Sequence, residues 1–133
     1  MKNILISLYL VLLSSCSQEP EVFTGPFITR DGVKYVQDTN EPVTGIEVLF
    51  HENGQLLERS NYVDGKLNGL HETFRENGQL SVRANYKDDE LDGLYEDFYG
   101  HGQLATRANY IGGQRHGLYE EFLYGGQISK RSN

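Results

Sequence analysis

FRENGQL, residues 74–80, is one of four related heptamers set at a fixed spacing of 24 residues. The other copies are FHENGQL at 50–56, FYGHGQL at 98–104 and FLYGGQI at 122–128. Cut at the glycine that opens each copy, the chain divides without gaps into units 45–68, 69–92 and 93–116 and a part unit 117–133. Periodicity of this kind decides the fold before any single element is assigned. Each unit holds two runs of strand length. GLHETFR is followed by ENG, and QLSVRANY by KDDE; unit one closes on VDGK. Asn-Gly and Asp-Gly between such runs mark hairpins, because both residues tolerate positive φ. A glycine every few residues would cost a helix about 1 kcal/mol each relative to alanine. The expected class is therefore all-β, with one hairpin per unit.

Side-chain alternation assigns faces. In unit two Leu70, Glu72 and Phe74 share one side of the first strand, and Leu80, Val82, Ala84 and Tyr86 one side of the second. The columns recur as Leu94, Phe98, Leu104, Ala108 and Tyr110, then Leu118, Phe122 and Ile128, and in unit one as Ile46, Val48, Phe50, Leu56 and Tyr62. A three-residue loop, Glu76-Asn77-Gly78 with Gly78 left-handed, sets Phe74 opposite Leu80 and gathers both apolar sets on one face. A two-residue Asn77-Gly78 turn instead pairs Glu72 with Arg83, Glu96 with Arg107 and Glu120 with Arg131, and divides the apolar columns between faces. Burying Phe and Leu is worth about 1.5–3 kcal/mol each, against under about 1 for an exposed ion pair. That balance favours the three-residue loop, by a margin that the partial burial of a single-layer sheet keeps small. Tyr95, Tyr99, Tyr119 and Tyr124 then lie opposite the apolar face and form the candidate interaction surface. Glu76 and Gln79 are expected as turn flanks in water.

The N-terminus has a different character. In MKNILISLYLVLLSSCSQEPE, Lys2 precedes an apolar run from Ile4 to Leu13, then Ser14, Ser15 and the single cysteine, Cys16. That is the anatomy of a secretory signal, and the run is shorter than the roughly 20 residues that span a bilayer. Leu13-Ser14-Ser15-Cys16 resembles the lipobox of bacterial lipoproteins. The resemblance implies a signal peptide of residues 1–15, cleavage before Cys16, and lipid on the Cys16 thiol, often with acylation of the new amino group. Two or more acyl chains hold a protein stably at a bilayer. Residues 16–22 are expected as lipidated cysteine and tether, with SQEPE (17–21) a polar spacer. Ser17 after the cysteine, by analogy with enterobacterial sorting, points to the outer membrane in a Gram-negative source. Loss of Lys2 takes the net charge from −7 to −8. So acidic a module is a poor partner for nucleic acid or anionic headgroups, which leaves the lipid as the membrane attachment. Residues 23–44, with Asp31-Gly32 between FITR and VKYV, read as a capping hairpin; arrays need caps because a terminal unit exposes an unpaired edge. At the far end Lys130 and Arg131 discourage edge-to-edge pairing.

Gly-Leu-Tyr-Glu-x-Phe, Asn-Gly and the later Asp-Gly-Lys resemble MORN-repeat variants. That resemblance implies hairpins stacked into an elongated, twisted, single-layer antiparallel sheet. With Asp-Gly-Val-Lys-Tyr and Pro-Val-Thr-Gly ahead of the repeats, residues 27–133 are similar to the YwqK family, whose members are often described as toxin–antitoxin antitoxin components. An exported antitoxin requires a toxin that is itself secreted or is met before export.

Chemistry is sparse in the pattern. His51, His71, His101 and His116 occupy mismatched repeat positions and read as exposed strand and turn residues rather than a metal set. Glu72, Glu96 and Glu120 form a column at a spacing of roughly 10 Å, too wide for a retaining glycosidase pair. Asp88-Asp89-Glu90 lacks the alternating ligands of a calcium loop. No nucleophile elbow or phosphate loop stands out, and no cofactor, metal or catalytic residue is expected. The sequence points to a non-enzymatic, lipid-anchored envelope protein that binds a protein or cell-envelope polymer. An immunity or antitoxin protein is the alternative, and a glycan hydrolase acting through the Glu column is a third reading. Function is expected where the copies differ, in the columns beginning at Glu47, His71, Tyr95 and Tyr119.

Overall fold

The computed structural model describes residues 19–133. The expected signal peptide, Cys16 and the start of the expected tether lie outside the described residues. Eleven strands follow in order: β1 (Val22–Phe23), β2 (Phe27–Arg30), β3 (Val33–Val36), β4 (Gly45–Phe50), β5 (Leu56–Val63), β6 (Lys66–Phe74), β7 (Leu80–Lys87), β8 (Glu90–Phe98), β9 (Leu104–Ile111), β10 (Gln114–Phe122) and β11 (Ile128–Ser132). Nine form one open sheet in the order β1-β4-β5-β6-β7-β8-β9-β10-β11, and β2-β3 form a second, two-stranded sheet. From β4 to β11 every pair is antiparallel and every strand follows its sequence neighbour, as stacked hairpins require. β1 runs parallel to β4, which an all-antiparallel expectation did not include.

Two kinds of turn close the hairpins. Asp64-Gly65, Asp88-Asp89 and Gly112-Gly113 all have positive φ at both central residues, the geometry that matches strand twist in two-residue turns. At the opposite tips, the Gly78 amide donates to the Arg75 carbonyl and the Arg75 amide to the Gln79 carbonyl, both at 2.8 Å. Gly78 lies at φ 81°. This is the three-residue loop, and Phe74 does stand opposite Leu80.

The inference of one apolar face fails one residue further in. A bulge between Thr73 and Phe74 shifts the pairing, so that the body of the hairpin matches Glu72 with Arg83, His71 with Ala84 and Leu70 with Asn85. The loop of one proposed register and the ladder of the other coexist. The apolar columns are thus divided between faces: Leu70 shares a side with the Glu–Arg pairs, whereas Ala84 lies beside His71. The expectation that Tyr95 and Tyr119 lie away from the apolar face is corrected too. Both pair with the fully buried Ala108, and Tyr95 also with Ala84, so the small-residue core lies beside them.

Both ends of the repeat units interlock. Gly65 donates to the Val43 carbonyl, Asp89 to that of Leu67 and Gly113 to that of Leu91, at 2.8–3.0 Å. At the other tips His51 Nε2 meets the Phe74 carbonyl at 2.8 Å, an Arg75 guanidinium nitrogen donates to Phe98 O at 2.7 Å, and the Tyr99 hydroxyl donates to Phe122 O at 2.7 Å. Three different side chains at one repeat position thus strut each unit to the next. His51 is engaged and half-buried rather than simply exposed. Gln79, expected in water, is half-buried, and its amide lies 3.5 Å from where a Cβ on Gly102 would stand.

The N-terminal hairpin has Asp31-Gly32 turning between β2 and β3, which form their own sheet, while β1 covers the edge of β4. The hairpin's register with the array is fixed by Lys34: its amide donates to Gly65 O at 2.9 Å, and its carbonyl accepts from Val43 at 3.0 Å. Val43 is completely buried at this join. The spacer is shorter than anticipated. Glu21 O accepts from Ile46 N at 2.7 Å, and Val22–Phe23 already forms β1 on the edge of β4.

Candidate functional site

The two faces of the sheet differ in chemistry. On one, strand pairing sets Arg59, Glu72, Arg83, Glu96, Arg107, Glu120 and Arg131 in a single row across seven strands. Arg83, Arg107 and Arg131 place Nε 2.9–3.0 Å from Glu72, Glu96 and Glu120 respectively. Arg59 binds Glu72 from the other side. The Glu72, Glu96 and Glu120 residues are only 3–7% exposed, because the guanidinium groups and their stems lie over them. Burial alone would raise the Glu72 pKa, but Arg59 and Arg83 outweigh it and hold the carboxyl below its ordinary range. A carboxylate held ionised in this way is the reverse of a general acid, whose pKa must be raised.

The opposite face carries the variable column. Its central row reads Glu47, Ser60, His71, Ala84, Tyr95, Ala108, Tyr119, Ser132. Ser60, Ala84 and Ala108 have no exposed surface, since a small residue on every second strand lets the larger neighbours close over it. The row beside it includes Glu58, Thr73, Val82, Asp97, Thr106, Glu121 and Lys130. His71 Nδ1 is 2.8 Å from the Ser60 hydroxyl, which donates at 2.7 Å to Glu58. This serine lies between the histidine and the carboxylate, so the order of a nucleophile–base–orienter relay is not met. Tyr86 packs edge-on to His71, and Tyr110 edge-on to Tyr95 at 6.1 Å between ring centres. Burial, then Asp97 and Tyr110, push the Tyr95 pKa up. A hydrogen bond to Glu121 does the same for Tyr119.

The four tyrosines singled out from sequence therefore fall into two pairs. Tyr95 and Tyr119 belong to the face. Tyr99 and Tyr124 belong to the loop tips, where they gather with His101. Ring centres are 5.6 Å apart for Tyr99–His101, 5.4 Å for Tyr99–Tyr124 and 3.9 Å for His101–Tyr124. Tyr124 is 68% exposed and the adjoining Leu123 52%. Sequence reading passed over His101 because it stands at the turn-asparagine position of its unit. Its contact with Tyr124 depends on stacking between adjacent tips, which the 24-residue period could have suggested. Among the described residues no three His, Cys, Asp or Glu side chains gather as a metal site.

Residues 43–64, 67–88 and 91–111 match the MORN repeat variant. The chain thus carries this repeat in three copies, which coincide with the hairpins β4–β5, β6–β7 and β8–β9. The β10–β11 hairpin repeats the Glu–Arg pairing of β6–β7 and β8–β9 and the tip hydrogen bonds of all three. No curated protein matches the chain.

Proposed function

We propose that this is a non-catalytic binding module, lipid-anchored through Cys16 in the bacterial cell envelope and, in a Gram-negative source, at the outer membrane. Its tyrosine-bearing surface engages a protein or envelope polymer. The observation that carries the reading is the Tyr99–His101–Tyr124 cluster, in which His101 and Tyr124 are exposed, on loop tips strutted by hydrogen bonds. Large aromatic groups fixed in place lose little entropy on binding, which is why they dominate interaction hot spots. The Glu–Arg face supports the same division of labour, since its carboxylates are committed to holding the strands together.

Two measurements test this reading. Labelled palmitate should be incorporated into the chain and processing should be sensitive to globomycin. Cys16→Ser should abolish both, and unchanged labelling in that variant contradicts the anchor. Crosslinking and pull-down from intact cells should recover a discrete partner, and Tyr124→Ala should reduce recovery at least tenfold. A toxin in that role would assign the surface to the immunity function implied by the YwqK resemblance.

A further inference from the structure

The variable face repeats one local arrangement, an acidic group beside an aromatic ring, and fills it differently along the array. At its start Lys34 reaches down from the cap. Its ammonium is 2.6 Å from Glu47 Oε2, 2.9 Å from the Tyr62 hydroxyl and 4.4 Å from the centre of the Tyr62 ring. At its far end Tyr119, hydrogen-bonded to Glu121, lies under Arg115 at 4.5 Å and Lys130 at 5.5 Å. Lys130 also stands directly opposite Glu121 in the strand pairing.

Unit three carries Tyr95 and Asp97 at the positions of Tyr119 and Glu121. The residues 24 places before Arg115 and Lys130 are Leu91 and Thr106. Asp97 therefore lies between Val82 and Thr106, with no cation on either side of it in the pairing. Its Oδ1 is buried and has no hydrogen-bond partner. Among the described residues no Lys or Arg lies over the Tyr95 ring. Tyr110 stands edge-on to Tyr95 and closes one side of the place.

We propose that Tyr95, Tyr110 and Asp97 form a seat for a lysine or arginine side chain of a basic segment in a partner protein. The chain supplies its own cation to the equivalent pair in unit four and to the Glu47–Tyr62 pair at the start of the array, and leaves this one open. A ring face and a carboxylate together favour an alkylammonium or guanidinium group, by attraction to the ring quadrupole and a charge-assisted hydrogen bond. The net charge of −7 steers a basic segment toward the face. The inference rests on the reading of this protein as a binding module and names the chemistry of its partner.

The test is titration of the full chain with tetralysine, followed by NMR of the tyrosine rings. Saturable shifts are expected at Tyr95 and Tyr110, with affinity falling as salt rises. Asp97→Asn, nearly isosteric, and Tyr95→Leu should each weaken binding at least tenfold, whereas Glu52→Gln, at an exposed tip of unit one, should leave it unchanged. The inference is overturned by equal affinity in the Asp97→Asn variant, or by equal binding of side-chain-acetylated tetralysine. It is also overturned if a glucosamine oligomer binds and tetralysine does not, or if the only response is concentration-dependent self-association. Partner capture that depends on Tyr124 while tetralysine produces no shift sinks the cation seat and leaves the binding-module reading standing.

Discussion

At Gly93 the backbone holds φ at 116°, and an added Cβ would stand 3.2 Å from the Cβ of Asn85. Gly69 repeats this, with φ 107° and Asn61 at 3.3 Å. The pairing between hairpins is irregular here, and the asparagine side chain bonds the carbonyl of the next residue: Asn61 to Leu70 at 2.6 Å and Asn85 to Leu94 at 3.3 Å. Gly93→Ala should therefore cost about 1–3 kcal/mol in urea unfolding, the usual strain of a non-glycine residue in so sparse a region. Gly100→Ala is the control, since a Cβ there meets nothing within 4 Å, and it should be close to neutral. The sequence marked the glycines as unit boundaries by their period alone. Why a glycine must stand there was not legible, because the bulge that demands positive φ arises from pairing between adjacent hairpins rather than from local turn chemistry.

The strut formed by Tyr99 makes a prediction at the scale of the hairpin. Tyr99→Phe removes the hydrogen bond to Phe122 while keeping the ring, and should lower stability by about 0.5–1.5 kcal/mol. The Glu–Arg row makes a second. A double-mutant cycle on Glu72 and Arg83 should return a coupling of about 0.5–3 kcal/mol, as for contacting residues in one network; zero coupling would show the row to be incidental. The pH dependence has a definite sign. The folded-state pKa of Glu72 is depressed, so its contribution is complete above the ordinary carboxylate range and is lost as pH falls through the folded value. Glu72→Gln should flatten the acid limb of the stability curve. The 11-residue spacing of each Glu–Arg pair was visible in the sequence. Its weight was misjudged because an exposed pair was assumed, whereas the guanidinium groups cover the carboxylates. The choice between two registers was also misposed: a bulge beside Phe74 lets a three-residue loop and the Glu72–Arg83 pairing occur in the same hairpin.

Across the whole molecule, a half-buried contact set of Lys34, Glu47 and Tyr62 reinforces the join between cap and array. Burial disfavours the Lys34 ammonium, but its bonds to Glu47 and Tyr62 prevail and raise its pKa. That contribution is complete below the ordinary lysine pKa and is lost as pH rises through the folded value. Lys34→Met should accordingly flatten the alkaline limb of unfolding. The stacked-hairpin architecture could be read from FRENGQL and its copies, because a repeat unit is local in sequence. The docking of Lys34 on Glu47 and the alternation of small and large residues across the variable face could not, because both are built from strands of different units. The central claim is that the Glu–Arg face holds the sheet together, whereas the tyrosine-bearing loop tips bind. It is tested most directly by placing a photo-crosslinking residue at Tyr124 or at Arg83 in the full chain in intact cells. The account predicts a discrete crosslinked partner from position 124 and none from position 83; equal capture from both positions, or capture from 83 alone, would contradict it.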